Sequence, residues 1–222
     1  MPTDAIINVN GSNVQTLEVL FLTTLLAVLP SLVVMMTSFT RYVIVFSFLR
    51  TAMGTQQTPP NMVLVGMALV LTLFTMTPTL TAIQQDAYEP YVQEEITQEE
   101  FFDRAQVPLK DFMLRQTQIS SLELYCDIAD VEIPASEAEA TQLPMRVIIP
   151  AFVTTELKRA FEIGFLLYIP FVLIDMVVSS TLMSMGMIML PPAMISNPFK
   201  LLLFITLDGW QLLFSTLIQG YR

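Results

Sequence analysis

Histidine is absent from the 222 residues, and only one cysteine, Cys126, is present. The first absence removes the commonest general base, metal ligand and pH switch. The second excludes an internal disulfide. Charged residues make up only 14% of the chain, against about a quarter in ordinary soluble domains. There is no glycine-rich phosphate loop, no G-x-S-x-G and no H-E-x-x-H, so neither nucleotide binding nor the common hydrolytic chemistries have a foothold. A basic face is missing too. The formal net charge is −10, which argues against nucleic acid as a partner.

What the chain does have is apolar surface, at 54% hydrophobic residues and a mean hydropathy of +0.62, a membrane-class composition. The acidity is local. Fourteen of the twenty acids, but only the bases Arg104, Lys110 and Arg115, fall between Gln84 and Gln142. Those carboxylates are spread over helix faces and loops, and read as the solvated surface of one insert.

Four regions follow. Residues 1–18 are polar and lack the positively charged start of an intact signal peptide. Residues 19–83 form a first hydrophobic helical hairpin region. Val19–Thr40 is long enough to cross a bilayer, which takes about 20 residues, and Pro30 kinks or splits it. Arg41 and Arg50 bracket the short stretch Tyr42–Leu49, and Met62–Ile83 is interrupted at Pro78. Residues 84–149 are the acidic insert. Within it Thr97 and Glu100 spell a capping box, with Ile96 and Phe101 as a hydrophobic staple, predicting a helix over 98–106. Pro108 is expected to open another, with Leu109, Phe112, Met113, Gln116 and Ile119 on one face. The stretch 130–144 reads as a mobile loop. In residues 150–222, Thr154 or Thr155 is expected to cap a helix running into Ile163–Thr181, and Phe199–Tyr221 forms the last. The expected fold is all-α: membrane-associated helical hairpins with kinked or broken apolar helices and an acidic helical insert. The positive-inside rule places the Arg41–Arg50 connection in the cytoplasm and the insert outside, on the periplasmic side. Lys158 and Arg159 then fall on the wrong side, so four simple spans fit poorly.

Two features invite function. Met183, Met185, Met187 and Met189 recur at every second position before Pro191-Pro192. That spacing does not line one face of a helix, whereas an extended backbone would point all four the same way. Methionine is flexible and polarizable, so several copies around an axis would form a soft apolar collar; ordinary core or lipid-facing methionines are the plain alternative. The second feature is charge inside apolar segments, which costs several kcal/mol unless paired or hydrated. Asp175 and Asp208 lie within segments, and Glu156, Glu162 and Lys200 near their ends. Two readings stay open: a proton or ion path through Asp175 and Asp208, as in a proton-coupled multi-pass transporter, or pairing within a chain or between subunits that fixes register. Glu156 with Lys200 is the expected pair, across a hairpin turning near Pro191.

The motif Arg50-Thr51-Ala52-Met53-Gly54-Thr55-Gln56-Gln57-Thr58-Pro59-Pro60-Asn61 resembles the FliP/SctR family of type III secretion export-gate proteins. So do Pro108-Leu109-Lys110-Asp111-Phe112-Met113, Phe152-Val153-Thr154-Thr155-Glu156-Leu157-Lys158, Met185-Gly186-Met187-Ile188-Met189-Leu190-Pro191-Pro192, and Asp208-Gly209-Trp210-Gln211-Leu212. The insert and the last motif are closer to flagellar than to injectisome (SctR-type) members, which remain the alternative. The resemblance implies a non-enzymatic subunit, without cofactor, in the bacterial inner membrane at the flagellar basal body. Five copies would join FliQ-like and FliR-like partners, beside other export-apparatus proteins, in a helical pore complex passing unfolded proteins. Much of the apolar helix would be buried in that assembly above the membrane plane. The resemblance also implies that Met185, Met187 and Met189 act as a gasket sealing the closed pore, with Ile188 standing where many relatives carry a further methionine.

Overall fold

The computed structural model describes residues 7–9, 12–14, 20, 23, 24, 26–28, 31, 34–55, 57–134, 136–187 and 189–221. Pro30, Gln56 and Ile188 lie outside the described residues. Ile7–Val9 (β1) and Ser12–Val14 (β2) form a small antiparallel pair with Asn8 opposite Asn13, which the polar composition of this stretch did not announce. The remaining regular structure among the described residues is helical.

Helix α1 (Phe39–Ala52) buries Tyr42, Val45, Phe46, Leu49 and Ala52, the three- and four-residue spacing of one helical face. After the turn through Gly54, helix α2 (Asn61–Ile83) buries only Leu64, Ala68, Thr72 and Met76. It continues through a π-helical turn (Gln84–Tyr88) into the short helix α3 (Glu89–Val92), making one apolar rod of 32 residues. Its threonines do not strand their hydroxyls: Thr72, Thr77 and Thr81 each donate to the carbonyl four residues back.

In the insert, α4 (Gln98–Gln116) starts at the capping box, Thr97 accepting from the Glu100 N–H while the Glu100 carboxylate accepts from the Thr97 N–H at 2.8 Å. These bonds, the backbone one foremost, hold the Glu100 carboxyl below its ordinary value. Pro108 opens no second helix; α4 runs straight through it. A proline inside a helix deletes one hydrogen bond, and here packing compensates: Met113, with Phe112 and Leu114, seats on a core of Cys126, Leu143, Val147, Ile148 and Phe152. Ile119, placed on that face by the sequence, begins α5 (Ile119–Ile128) and is exposed. Burial pushes the Cys126 thiol up, away from the reactive thiolate. The stretch 130–144 is not the free loop its composition suggested. It contains α6 (Glu137–Ala140), buries Leu143, and is held by Lys110 donating to the Thr141 carbonyl at 3.3 Å.

Helix α7 (Met145–Ser184) has 40 residues and begins after Pro144, not at Thr154 or Thr155. Both threonines lie within it, as do Pro150 and Pro170; the Thr155 hydroxyl simply donates back to Ala151. The last arm is likewise not one helix. It breaks into α8 (Pro192–Thr206) and α9 (Gly209–Gln219), bent by 61°. Asp208 stands at the break in left-handed backbone (φ 48°). The Phe204 ring packs over Gly209 where a Cβ would lie within 2.3 Å, and meets Trp210 edge-on at 5.2 Å.

The contacts fix the directions. Arg41 meets Glu156 and Phe48 lies over Gly164, so α1 and α7 run the same way. Tyr42 bonds Thr75 and Arg50 bonds Asn61, so α2 returns. Lys200 in α8 reaches the Ala52 carbonyl and Arg41 the Gly220 carbonyl, so α8 and α9 return as well. Two hairpins thus lie side by side, their turns at one end and the acidic insert at the other. Asn61–Val92 and Met145–Ser184 are each long and apolar enough to cross a membrane, and the bent pair α8–α9 is a third candidate if counted as one span.

Candidate functional site

At the turn end, α7 and α8 continue past the contacts of α8 with Ala52 and Gly54. The last tie across this hairpin is Asp175, which accepts from Lys200 Nζ at 2.6 Å and from the Ser196 hydroxyl at 2.6 Å, while Lys200 also donates to the Ala52 carbonyl. Helix α7 continues from there for nine residues to Ser184, about 14 Å at 1.5 Å per residue.

The helix does not stop at the proline pair. It stops at Gly186, whose φ of +74° suits a residue without a Cβ. Gly186 N–H donates to the Met183 carbonyl and Met187 N–H to the Leu182 carbonyl, each at 3.0 Å, the paired closure of a Schellman motif. Pro191 and Pro192 instead start α8, where a missing N–H costs nothing. The alternate methionines therefore do not share an extended strand: Met183 is on the last turn of α7, and Met185 caps it. The tip is nonetheless uncovered. Met183, Met185 and Met189 are 68%, 67% and 98% exposed, Met187 38%, and Met194 on α8 71%.

The expected Glu156–Lys200 pair does not form. Asp175 follows Glu156 by nineteen residues on the same helix, about 28 Å, and it is Asp175 that lies opposite Lys200. Glu156 pairs with Arg41, which donates from Nε at 2.8 Å and also from Nη2, and Tyr221 adds its hydroxyl to the same carboxylate. Arg41 and Glu156 are 2% and 0% exposed, and the Tyr221 ring lies 3.8 Å from the Arg41 guanidinium carbon. Tyr221 also stacks on Phe112, and its carbonyl accepts from Gln116 at 3.3 Å. This node joins α1, α4, α7 and the end of α9. Sequence reasoning used Arg41 only as a topology signal and gave Tyr221 no role; an arginine opening an apolar stretch was the available clue.

The two cations that disobeyed the positive-inside rule also find work here. Lys158 donates to Gln118 Oε1 at 3.0 Å and Arg159 to Gln116 Oε1 at 2.9 Å, so both tether the insert to α7. Of the motif loop, Arg50 donates from Nη1 to Asn61 Oδ1 at 2.7 Å and to the Pro59 carbonyl at 3.5 Å. Gln57, Pro59 and Pro60 make the turn between α1 and α2, and Gly54 (φ +71°) lies against Asn197 of α8. Among the described residues, Asp208 has neither an ion pair nor a side-chain capping bond. Among the described residues, no group of acids and cysteine could hold a metal ion.

Comparison with known proteins gives a consistent result. A model of the FliP family matches residues 22–217. The "Flagellar biosynthetic protein FliP" of Aquifex aeolicus is 49% identical over 213 residues, 96% of this chain and 88% of that protein. The protein of the same name from Pectobacterium carotovorum is 51% identical over 215 residues, covering 96% and 82%. That from Bacillus subtilis is 47% identical over 207 residues, covering 93% and 92%.

Proposed function

The chain belongs to the FliP family, and on that premise we propose that it is a non-enzymatic core subunit of the flagellar protein export gate in the bacterial inner membrane. Several copies, with FliQ-like and FliR-like partners, enclose the channel through which unfolded flagellar proteins leave. Met185, Met187 and Met189 close that channel from its rim.

The observation that carries this reading is the bare methionine tip beyond the Asp175–Lys200 tie. Flexible thioether side chains held on a tight, proline-flanked turn, with no core of their own, fit a surface completed by neighbours. An apolar constriction excludes ions by dewetting and needs no specific recognition of what passes. The length of α7 supports the assembly. Forty residues span about 60 Å, twice the roughly 30 Å of bilayer hydrocarbon. Phe161, Phe165, Leu166, Leu173 and Val177 along it, and Val70, Leu73 and Phe74 on α2, are more than half exposed.

Asp175 is engaged by Lys200 and Ser196, which favours a structural role over a proton path. Replacing Met185, Met187 and Met189 together with glycine tests the seal. Ion leakage through assembled complexes should rise while complex yield stays level; unchanged leakage refutes the gasket.

A further inference from the structure

The charges in the turn-end half of the bundle do not balance pairwise within one chain. Asp175 and Lys200 neutralise each other. Among the described residues, Arg50 meets only neutral acceptors, and Asp208 has neither an ion pair nor a side-chain capping bond. Towards the insert, Arg41 and Glu156 pair and Lys158 and Arg159 are held by glutamines, while Glu162, exposed on α7, has no ion pair among the described residues. Among the described residues of the apolar helices, Arg50 thus lacks an acidic partner, and Asp208, like Glu162, lacks a basic one.

Arg50 and Asp208 both lie between the Lys200–Ala52 and Arg41–Gly220 contacts. Leu49, beside Arg50, and Leu207 and Gly209, on either side of Asp208, line a single apolar cavity of about 400 Å³ between α1, α7, α8 and α9. They nevertheless form no ion pair with each other. Arg50 lies against the start of α2, whereas Asp208 is exposed on the arm formed by α8 and α9, among the exposed Leu202, Ile205, Leu207 and Leu212. An unpaired carboxylate on an apolar surface costs several kcal/mol once lipid or protein covers it, a cost that an arginine from a second copy would offset.

We propose that Asp208 of one copy pairs with Arg50 of the next, through a head-to-tail interface that uses two different faces of the chain. The inference rests on the oligomeric reading above and names the contact that reading lacks. One cation and one anion on separate elements, between the same two contacts, satisfy each other when copies stand side by side, and the pattern repeats from copy to copy. Such heterologous contacts generate rings or helical arrays, not two-fold dimers. The left-handed backbone at Asp208, tolerated by aspartate better than by most residues, turns the carboxylate-bearing corner outward at the 61° bend.

The test uses the chain co-expressed with its FliQ-like and FliR-like neighbours and resolved on native gels. Asp208→Arg and Arg50→Asp should each lower the multi-copy complex about ten-fold or more, as loss of a close interfacial charge pair does. The double exchange should restore at least about half of it. Independently, differently tagged chains carrying Cys126→Ala with either Arg50→Cys or Asp208→Cys should be joined by a short bis-maleimide into one species bearing both tags. Tagged parent chains that never co-purify overturn the oligomeric reading itself. Chains that co-purify but give neither rescue nor cross-link overturn only this pairing.

Discussion

Glu156→Ala isolates the buried node where α1, α4, α7 and the end of α9 meet. The substitution leaves the Arg41 guanidinium, 2% exposed, without its carboxylate, and leaves the Tyr221 hydroxyl with only a 3.5 Å approach to the Ser38 carbonyl. Removing one partner of a buried pair costs about 3–5 kcal/mol, because the remaining charge stays desolvated. An unmatched buried hydroxyl adds about 1 kcal/mol or more. For a chain of this size that corresponds to a drop in melting temperature on the order of 10 °C, read by thermal scanning of the detergent-solubilised protein. The origin of the loss is separable from its size. A triple change, Arg41→Met with Glu156→Leu and Tyr221→Phe, deletes the charges and the hydroxyl together while keeping most of the volume. Such apolar replacements of buried ion pairs are often neutral or stabilising, so the triple variant should melt well above Glu156→Ala. If both variants fall equally, the node holds through packing shape alone and the electrostatic argument is refuted.

Other outcomes follow from the same geometry. Lys200→Met should cost less than Glu156→Ala, about 1–2 kcal/mol, because Asp175 is 40% exposed and water partly replaces its partner; a larger loss in denaturant titrations would mean that the Ala52 tie matters more. Gly54→Ala should destabilise more than Gly186→Ala: both positions have positive φ, but only at Gly54 does a Cβ meet a neighbour, Asn197 Oδ1 at 2.5 Å. Equal melting shifts would contradict that. The capping box has a defined pH signature. The Glu100 carboxyl titrates lower folded than unfolded, so its contribution is complete above the unfolded value and fades as pH falls through the folded one. Amide exchange in the first turn of α4 should quicken over that acid range, Thr97→Ala should only weaken the change because it keeps the backbone N–H, and Glu100→Gln should abolish it.

Local features were legible in the sequence. The Thr97–Glu100 box spans three residues and depends on little else, and the apolar runs announced the hairpins. Helix ends inside apolar segments were not legible. Pro150 and Pro170 suggest breaks, yet α7 absorbs both, because Val147, Ile148, Ala151 and Phe152 pack as one face and outweigh the lost bonds. The true break, at Asp208-Gly209, follows from how Phe204 and Trp210 fold together, which no periodicity reports. Charge pairing was hardest. Arg41 and Glu156 are 115 positions apart, and choosing between Glu156 and Asp175 for Lys200 requires knowing how far α7 extends before it turns. The methionine stretch was conspicuous in the sequence, but its shape depended on Gly186, a residue that alternation alone makes easy to overlook.

Nothing in either buried core reaches the hairpin tip past Asp175. Substitutions at the exposed Met185, Met187 or Met189 should therefore leave the isolated chain's folding almost unchanged, and under the proposed gasket they act on what the finished assembly lets through. On the proposed gasket role, permeability and foldability would be governed by separate residues, and natural variation could tune the tightness of the barrier without first having to solve a folding problem.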